Sequence, residues 1–216
     1  LGLREPSVLV GSFDRPNLVY RVLPRAGLKH QLAEILGRHK GEGGIIYCTS
    51  RPELEALSEW LSSTGIRARP YHAGLDDTTR SRNQDLFLDE EIDVIVATVA
   101  FGMGIDRSDV RFVVHAGAPQ SLEHYQQESG RAGRDGLEAE CALIYSSADF
   151  MKWRLMLEKS GELTQSARRL LGDMERYASA VGCRHKHLVG YFGEEYSRAD
   201  CGACDFCLGE LEPVAE

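Results

Sequence analysis

Short apolar, β-branched runs alternate with helix-like stretches from residue 44 to residue 150, and this alternation constrains the fold more than any other feature of the chain. Ser50 begins the first helical stretch, with Glu53 at capping-box spacing and Pro52 near the start. Strand–helix–strand alternation with short loops predicts an α/β fold, a doubly wound parallel sheet with helices on both faces. Functional loops of such sheets lie at the carboxyl ends of the strands. The predicted strands are 44–48, 67–72, 92–98, 110–115 and 139–145, and the predicted helices between them are 50–65, 76–88 and 121–129.

The pattern changes after about residue 149. Residues 150–159 and 166–181 have helical periodicity, and no further apolar strand follows them. We therefore expect two units: a sheet domain over residues 1–150, and a small helical subdomain over residues 151–216 that ends in a cluster of cysteines.

Composition and charge exclude several classes of protein. The chain has 216 residues, 43% of them hydrophobic, and a net charge of −8, which argues against a general nucleic-acid coat. No apolar run approaches the roughly 20 residues that a membrane helix needs, and no signal peptide opens the sequence. We therefore expect an intracellular protein with no membrane partner. The first residue is Leu1, as expected for a piece of a longer protein or for a processed N-terminus.

Two arginines, Arg131 and Arg134, each follow a glycine and stand three residues apart. A guanidinium group directs paired donors at phosphate oxygens, and neighbouring glycines let the backbone approach a ligand closely. The run predicts contact with a polyphosphate. The competing interpretation is a surface cluster of ion pairs.

Cysteines fall into two groups. Cys48 and Cys141 lie within apolar runs and are expected to be buried in the core. The other four are spaced like ligands of one Zn²⁺ held by four thiolates, which leaves no open coordination position and makes the metal structural. An iron–sulfur cluster and a redox thiol pair remain alternatives. No secretory feature supports disulfides, which favours a reducing compartment. The four are Cys183, Cys201, Cys204 and Cys207.

Several motifs together resemble one family, the RecQ-type DNA helicases of helicase superfamily two. The resemblance covers nearly the whole chain and is carried by the combination of motifs, because the Gly-Arg-x-Gly-Arg run alone marks only the superfamily. It implies a RecA-like second motor lobe followed by a zinc-binding module. The matching segments are GSFDRPNL (11–18), IYCTSR (46–51), YHAGL (71–75), ATVAFGMGID (97–106), QESGRAGRDG (127–136) and the cysteine module that begins at Cys183.

The resemblance assigns roles to the nucleotide-facing motifs. Arg134 would be the arginine finger on the γ-phosphate, Arg131 its phosphate-binding neighbour, and Gln127 would help to position them. Gly104 and Asp106 would contact the nucleotide, although a helix-capping role for Asp106 is an alternative.

A second set of residues points to DNA. Ser50, Arg51 and Thr98 fall at strand ends, where hydroxyl, guanidinium and backbone N–H groups hold the phosphates of a single strand without reading its sequence. His72 belongs to the same edge, either as a DNA contact or as a core or turn residue.

The sequence contains no motifs of a first motor lobe. Such helicases hydrolyse ATP between two lobes, and the first lobe supplies a phosphate loop and an acidic Mg²⁺ motif. Neither motif occurs here, so ATP and Mg²⁺ should bind only together with the first lobe of the same protein, and this chain alone should be inactive. We expect the C-terminal lobe of an ATP-dependent 3′-to-5′ helicase of DNA repair and recombination. The alternative is a stand-alone, non-catalytic module that binds DNA or protein; a phosphate loop encoded upstream would decide between them.

Overall fold

One parallel sheet organises the part of the chain that the computed structural model describes, residues 11–98 and 107–211. Its six strands lie in the order β1-β6-β5-β2-β4-β3, and all of the neighbouring pairs are parallel. The elements are β1 (Leu18–Pro24), α1 (Leu28–Arg38), β2 (Gly43–Tyr47), α2 (Arg51–Ser63), β3 (Ala68–Tyr71), α3 (Asp77–Leu88), β4 (Val94–Ala97), β5 (Val110–His115), α4 (Leu122–Ser129), β6 (Ala139–Tyr145), α5 (Ser147–Lys159), α6 (Gln165–Ser179) and α7 (Arg184–Tyr191).

Both faces of the sheet are covered, as the alternation predicted. Ile45 points into an apolar cluster shared with α4, α6 and α7, whereas the next residue, Ile46, points into a second cluster under α1 and α2. Packing over β2 is tight, since a Cβ atom on Gly44 would lie 2.0 Å from the ring of Phe112. Cys48 and Cys141 are buried in the core, as expected.

Two elements escaped the sequence reasoning, β1 and α1. The run of β1 is interrupted by Arg21 and ends at Pro24, so it lacks the continuous apolar character of the central strands. Helix α1 has no start signal, because its N-cap, Gly27, carries no side chain and the first turn holds no acidic residue.

The capping box expected at Ser50 is also absent. Ser50 is the N-cap residue of α2 with extended backbone geometry, but its side chain makes no capping hydrogen bond. The carboxylate of Glu53 instead accepts hydrogen bonds from Thr49 Oγ1 at 3.0 Å and from Lys152 Nζ at 3.3 Å. The helix therefore begins where the sequence predicts, without the reciprocal hydrogen bonds of a capping box.

A buried carboxylate ties β6 to the end of α1. Glu140 is 5% exposed, and its oxygens lie 2.6 Å from Arg38 Nη2 and 2.9 Å from His39 Nε2. Burial alone would raise the pKa of Glu140, but the hydrogen bonds from His39 and Arg38 outweigh it and bring the pKa down to about 2.

The C-terminal helices share the core of the sheet. Leu171 and Tyr177 of α6 and Leu188 of α7 belong to the same apolar cluster as Leu18 and Tyr20 of β1. Among the described residues, no helix has the length and apolar character needed to cross a membrane.

Candidate functional site

The arginine pair lies on the loop that joins α4 to β6. Ser121 is the N-cap of helix α4, and its Oγ accepts a hydrogen bond from the backbone N–H of His124; Gly130 is the C-cap. Gln127 and Arg134 are exposed, whereas Arg131 is only 6% exposed. The two arginines therefore differ: Arg134 faces outward and Arg131 is turned into the domain.

Arg131 enters a buried polar cluster, which we define as Tyr47, His115, Glu128 and Arg131. Burial raises the pKa of the Tyr47 hydroxyl and Glu128 adds to that rise, while the charge of Arg131 and its hydrogen bond to Tyr47 oppose it. Glu128 Oε2 lies 2.8 Å from His115 Nε2. Within residues 11–98 and 107–211, Arg131 Nε and Glu128 Oε1 are buried without a hydrogen-bond partner.

Two charged or titratable members of this cluster, His115 and Glu128, were not among the site residues predicted from the sequence. His115 closes the otherwise apolar run of β5, and Glu128 stands in the arginine motif itself. A charged residue within a helix face and a histidine at a strand end are common on surfaces, so neither residue stood out. Their burial, 1% and 5% exposed, distinguishes them.

The residues expected to contact DNA lie at the carboxyl ends of β2, β3 and β4, which are neighbours in the sheet. Arg51 is exposed at the start of α2, and a Cβ atom on Gly74 would lie 2.9 Å from its Nη1 and 3.0 Å from His72 Nδ1. His72 is 3% exposed and its Nδ1 accepts a hydrogen bond from the Gly74 N–H. Thr98 N donates to Tyr71 O at 3.3 Å.

The structure thus brings Arg51 and His72 together, with Ser50 on the adjacent turn. His72 is a buried turn residue, one of the two alternatives that the sequence left open. Gly104 and Asp106 lie outside the described residues.

The four clustered cysteines fit a tetrahedral metal. Their sulfur atoms all lie within 4.8 Å of one another, and four thiolates around Zn²⁺ place sulfurs roughly 3.8 Å apart. Backbone N–H groups of Arg184 and Cys207 lie 3.5 Å from the Cys204 sulfur. Two backbone N–H donors stabilise negative charge on this sulfur, which favours the thiolate that a metal requires. Cys183 is the N-cap of α7 and accepts from the Lys186 N–H.

The cysteine cluster is joined to the sheet at β1. Tyr20 N donates to Ala203 O at 3.1 Å, and Asp205 N donates to Tyr20 O at 2.9 Å. Residues 201–207, which we call the cysteine loop, therefore form a parallel bridge with the strand. No pattern in the sequence predicts this attachment, because residues 20 and 204 are distant along the chain.

Two basic residues beside Cys183 strengthen the attachment. Arg184 is 3% exposed and makes a two-pronged ion pair with Asp205, at 2.8 and 3.0 Å. The ring of His185 lies 2.7 Å from Asp14 Oδ1 and 3.0 Å from Leu18 O. His185 therefore joins α7 to the segment before β1 and is not one of the four clustered cysteine ligands.

Comparisons with known proteins agree with this architecture. Residues 27–136 match the family model "Helicase conserved C-terminal domain", and residues 147–208 match "RecQ zinc-binding". Solved structures below 25% identity support the fold alone. A DEAD box protein from Methanococcus jannaschii is 24% identical with a TM-score of 0.54 over 66% of this chain and 39% of that one. The C-terminal domain of the DEAD-box protein Dbp5 is 22% identical with a TM-score of 0.53 over 68% and 86%.

Sequence relatives are RecQ helicases. The chain is 43% identical to the ATP-dependent DNA helicase RecQ of Pasteurella multocida and 38% identical to that of Bacillus subtilis, over 96% of its length. It spans 33% and 35% of those proteins, and 16% of the RecQ-like DNA helicase BLM of Xenopus laevis, to which it is 41% identical. The chain belongs to the RecQ helicase family, of which it carries the conserved C-terminal helicase domain and the zinc-binding domain.

Proposed function

We propose that this chain works as the second motor lobe and zinc module of an ATP-dependent 3′-to-5′ DNA helicase acting in DNA repair and recombination. The observation that carries the proposal is the arginine loop. It presents an exposed Arg134 beside a buried Arg131 on a RecA-like lobe whose sequence contains no phosphate loop. Such a lobe completes a nucleotide site that another lobe of the same protein builds.

Each arginine has a distinct role in this proposal. Arg134 stabilises the charge that develops on the γ-phosphate, as an arginine finger does. Arg131 contributes positive charge from within the loop. Because its side chain is buried, we assign it the binding of phosphate at the surface of this lobe and leave the contact across the gap between the lobes to Arg134. Gln127, exposed on the last turn of α4, helps to orient the pair, and Gly104 and Asp106 complete the nucleotide contacts.

The strand ends form the proposed DNA track. Ser50, Arg51 and Thr98 bind backbone phosphates of one strand, since their donors lie on neighbouring strand ends and carry no base-reading geometry. His72 is itself buried, so we assign it a supporting role, in which it holds the turn at Gly74 beside Arg51 and makes no phosphate contact of its own.

The metal in this proposal is a structural Zn²⁺ held by all four clustered cysteines, and Mg²⁺ enters only with ATP and the first lobe. We place the division between the lobe (1–150) and the zinc subdomain (151–216) within α5. A thiolate site of this kind fits a reducing compartment, the cytoplasm or the nucleus.

Substitution of the finger tests the proposal in the full-length helicase. Arg134→Ala should bind ATP and single-stranded DNA with near-normal Kd, yet hydrolyse ATP roughly 10³–10⁵ times more slowly. Arg67→Ala, which removes an exposed ion pair with Asp93 on the amino-terminal side of β3, is the matched control and should leave turnover unchanged. Wild-type turnover by Arg134→Ala would refute the finger role. A parent gene without an upstream phosphate loop would favour the non-catalytic module instead.

A further inference from the structure

A single arginine from the start of the described chain holds the backbone of the arginine loop. Arg15 donates from Nη1 to Gly130 O at 3.3 Å and from Nη2 to Ala132 O at 3.0 Å and Gly133 O at 2.9 Å. Gly130 is the C-cap of α4, so a guanidinium group here also complements the negative end of the helix dipole. These three carbonyl groups flank Arg131 and immediately precede Arg134.

A neighbouring amide holds the other half of the loop. Asn17 Nδ2 donates to Gly133 O at 2.9 Å and to Leu137 O at 2.8 Å. Gly133 has a φ of 54°, and a Cβ atom there would lie 2.5 Å from Asn17 Nδ2. The loop is therefore bent tightly around the amide, in a conformation that only glycine adopts without strain.

The same segment also contacts the zinc module. Phe13 stacks on Phe192 with ring centroids 4.4 Å apart, and its N–H donates to Glu194 Oε1 at 2.8 Å. Asp14 lies 2.7 Å from His185, whose neighbour in sequence, Arg184, pairs with Asp205 of the cysteine loop. Residues 12–17 thus lie between the end of α7 and the arginine loop.

We propose that Arg15 and Asn17 are positioning residues for the arginine pair: by binding the loop carbonyls they fix where Arg131 and Arg134 point. The role in ATP turnover rests on the proposed function. The fixing of the loop does not, because it concerns only contacts within this chain. The guanidinium of Arg15 and the amide of Asn17 together make five hydrogen bonds to loop carbonyl groups, and these bonds pre-order the loop before ATP binds.

Hydrogen–deuterium exchange on this chain with zinc bound tests the fixing of the loop. Arg15→Met keeps the length of the stem and removes the donors. Asn17→Asp keeps the shape and places acceptors against two carbonyl oxygens. We expect amide exchange in residues 130–138 to rise about tenfold in each variant, with no comparable change for Arg67→Met. Exchange within twofold of wild type in both variants would overturn the proposal, and because Asn17→Asp is isosteric, a folding failure of Arg15→Met does not remove the test.

Steady-state kinetics of the full-length helicase tests the consequence. In Arg15→Met, Arg131 and Arg134 are displaced, so kcat for DNA-stimulated ATP hydrolysis should fall by about 10–100-fold. KM for ATP and Kd for DNA should change less than about threefold. A rise in KM with unchanged kcat would contradict a positioning role. If Arg134→Ala itself hydrolysed ATP normally, the proposed function would fall, and the exchange experiment would still decide whether Arg15 and Asn17 fix the loop.

Discussion

The ion pair between Arg184 and Asp205 should be one of the most sensitive points of the structure. Both residues are nearly inaccessible, 3% and 2% exposed. Asp205 accepts two hydrogen bonds from Arg184 and one each from the backbone N–H groups of Val22 and Phe206. One carboxylate therefore connects α7, the cysteine loop and β1, and its removal leaves a buried guanidinium group without its counter-charge.

The expected cost follows from that arrangement. Removing one partner of a buried, hydrogen-bonded ion pair lowers the free energy of unfolding by about 3–5 kcal/mol. In a chain of this size, Tm falls by about 2–4 °C for each kcal/mol of stability lost, so Asp205→Ala should lower Tm by about 6–20 °C. The loss is a large share of the roughly 5–15 kcal/mol that stabilises a typical domain.

A double-mutant cycle in urea, with zinc and a reductant present, measures the effect. Arg184→Met and Asp205→Ala should each be strongly destabilising, and the double variant should cost less than their sum by about 2–3 kcal/mol. Glu175→Ala, which removes the exposed pair with Arg154, should cost less than about 1 kcal/mol. Additive effects, or a loss below about 1 kcal/mol for Asp205→Ala, would refute the reasoning.

Three further outcomes are expected. Metal analysis should give one zinc per chain, and Cys204→Ser should lose it and lose amide protection at Tyr20; full protection without metal would contradict a structural site. Because the pKa of Glu140 is depressed to about 2, the stability that its carboxylate contributes is present above pH 4.5 and lost as the pH falls toward 2. Over that range the difference in free energy of unfolding between wild type and Glu140→Gln, measured by urea titration, should narrow by about 3 kcal/mol. Gly44→Ala should destabilise by at least about 1–3 kcal/mol by urea unfolding, whereas Gly37→Ala, with open space around it in α1, should stabilise slightly.

Strands with continuous apolar character were predictable from the sequence. Ile45, Val94 and Val113 lie in runs buried on both faces, so their pattern has no other good interpretation. The cysteines were predictable for a similar reason, because ligand spacing is set by local geometry. Strand β1 was not, since an edge strand is only partly apolar and its register depends on β6, more than a hundred residues away.

The supporting polar residues of the site lay beyond sequence reasoning. Arg15, Glu128 and Asp205 are charged, and charged residues are exposed in most proteins. Their roles come from partners brought close only by the tertiary fold, as with Arg15 and the carbonyl of Gly133. Motif residues reveal the chemistry of a site, while the residues that hold them in place are identified by burial and contact.

The bridge between Tyr20 and Cys204 has a consequence for solubility. β1 is an outer strand of the sheet, and an uncovered outer strand offers its free N–H and C=O groups to another molecule. The cysteine loop occupies that side of the strand at Tyr20. We expect the proposed zinc to protect the protein against self-association by holding this loop on β1, so zinc-depleted chains should associate through β1, and light scattering should rise before the helical signal in circular dichroism is lost.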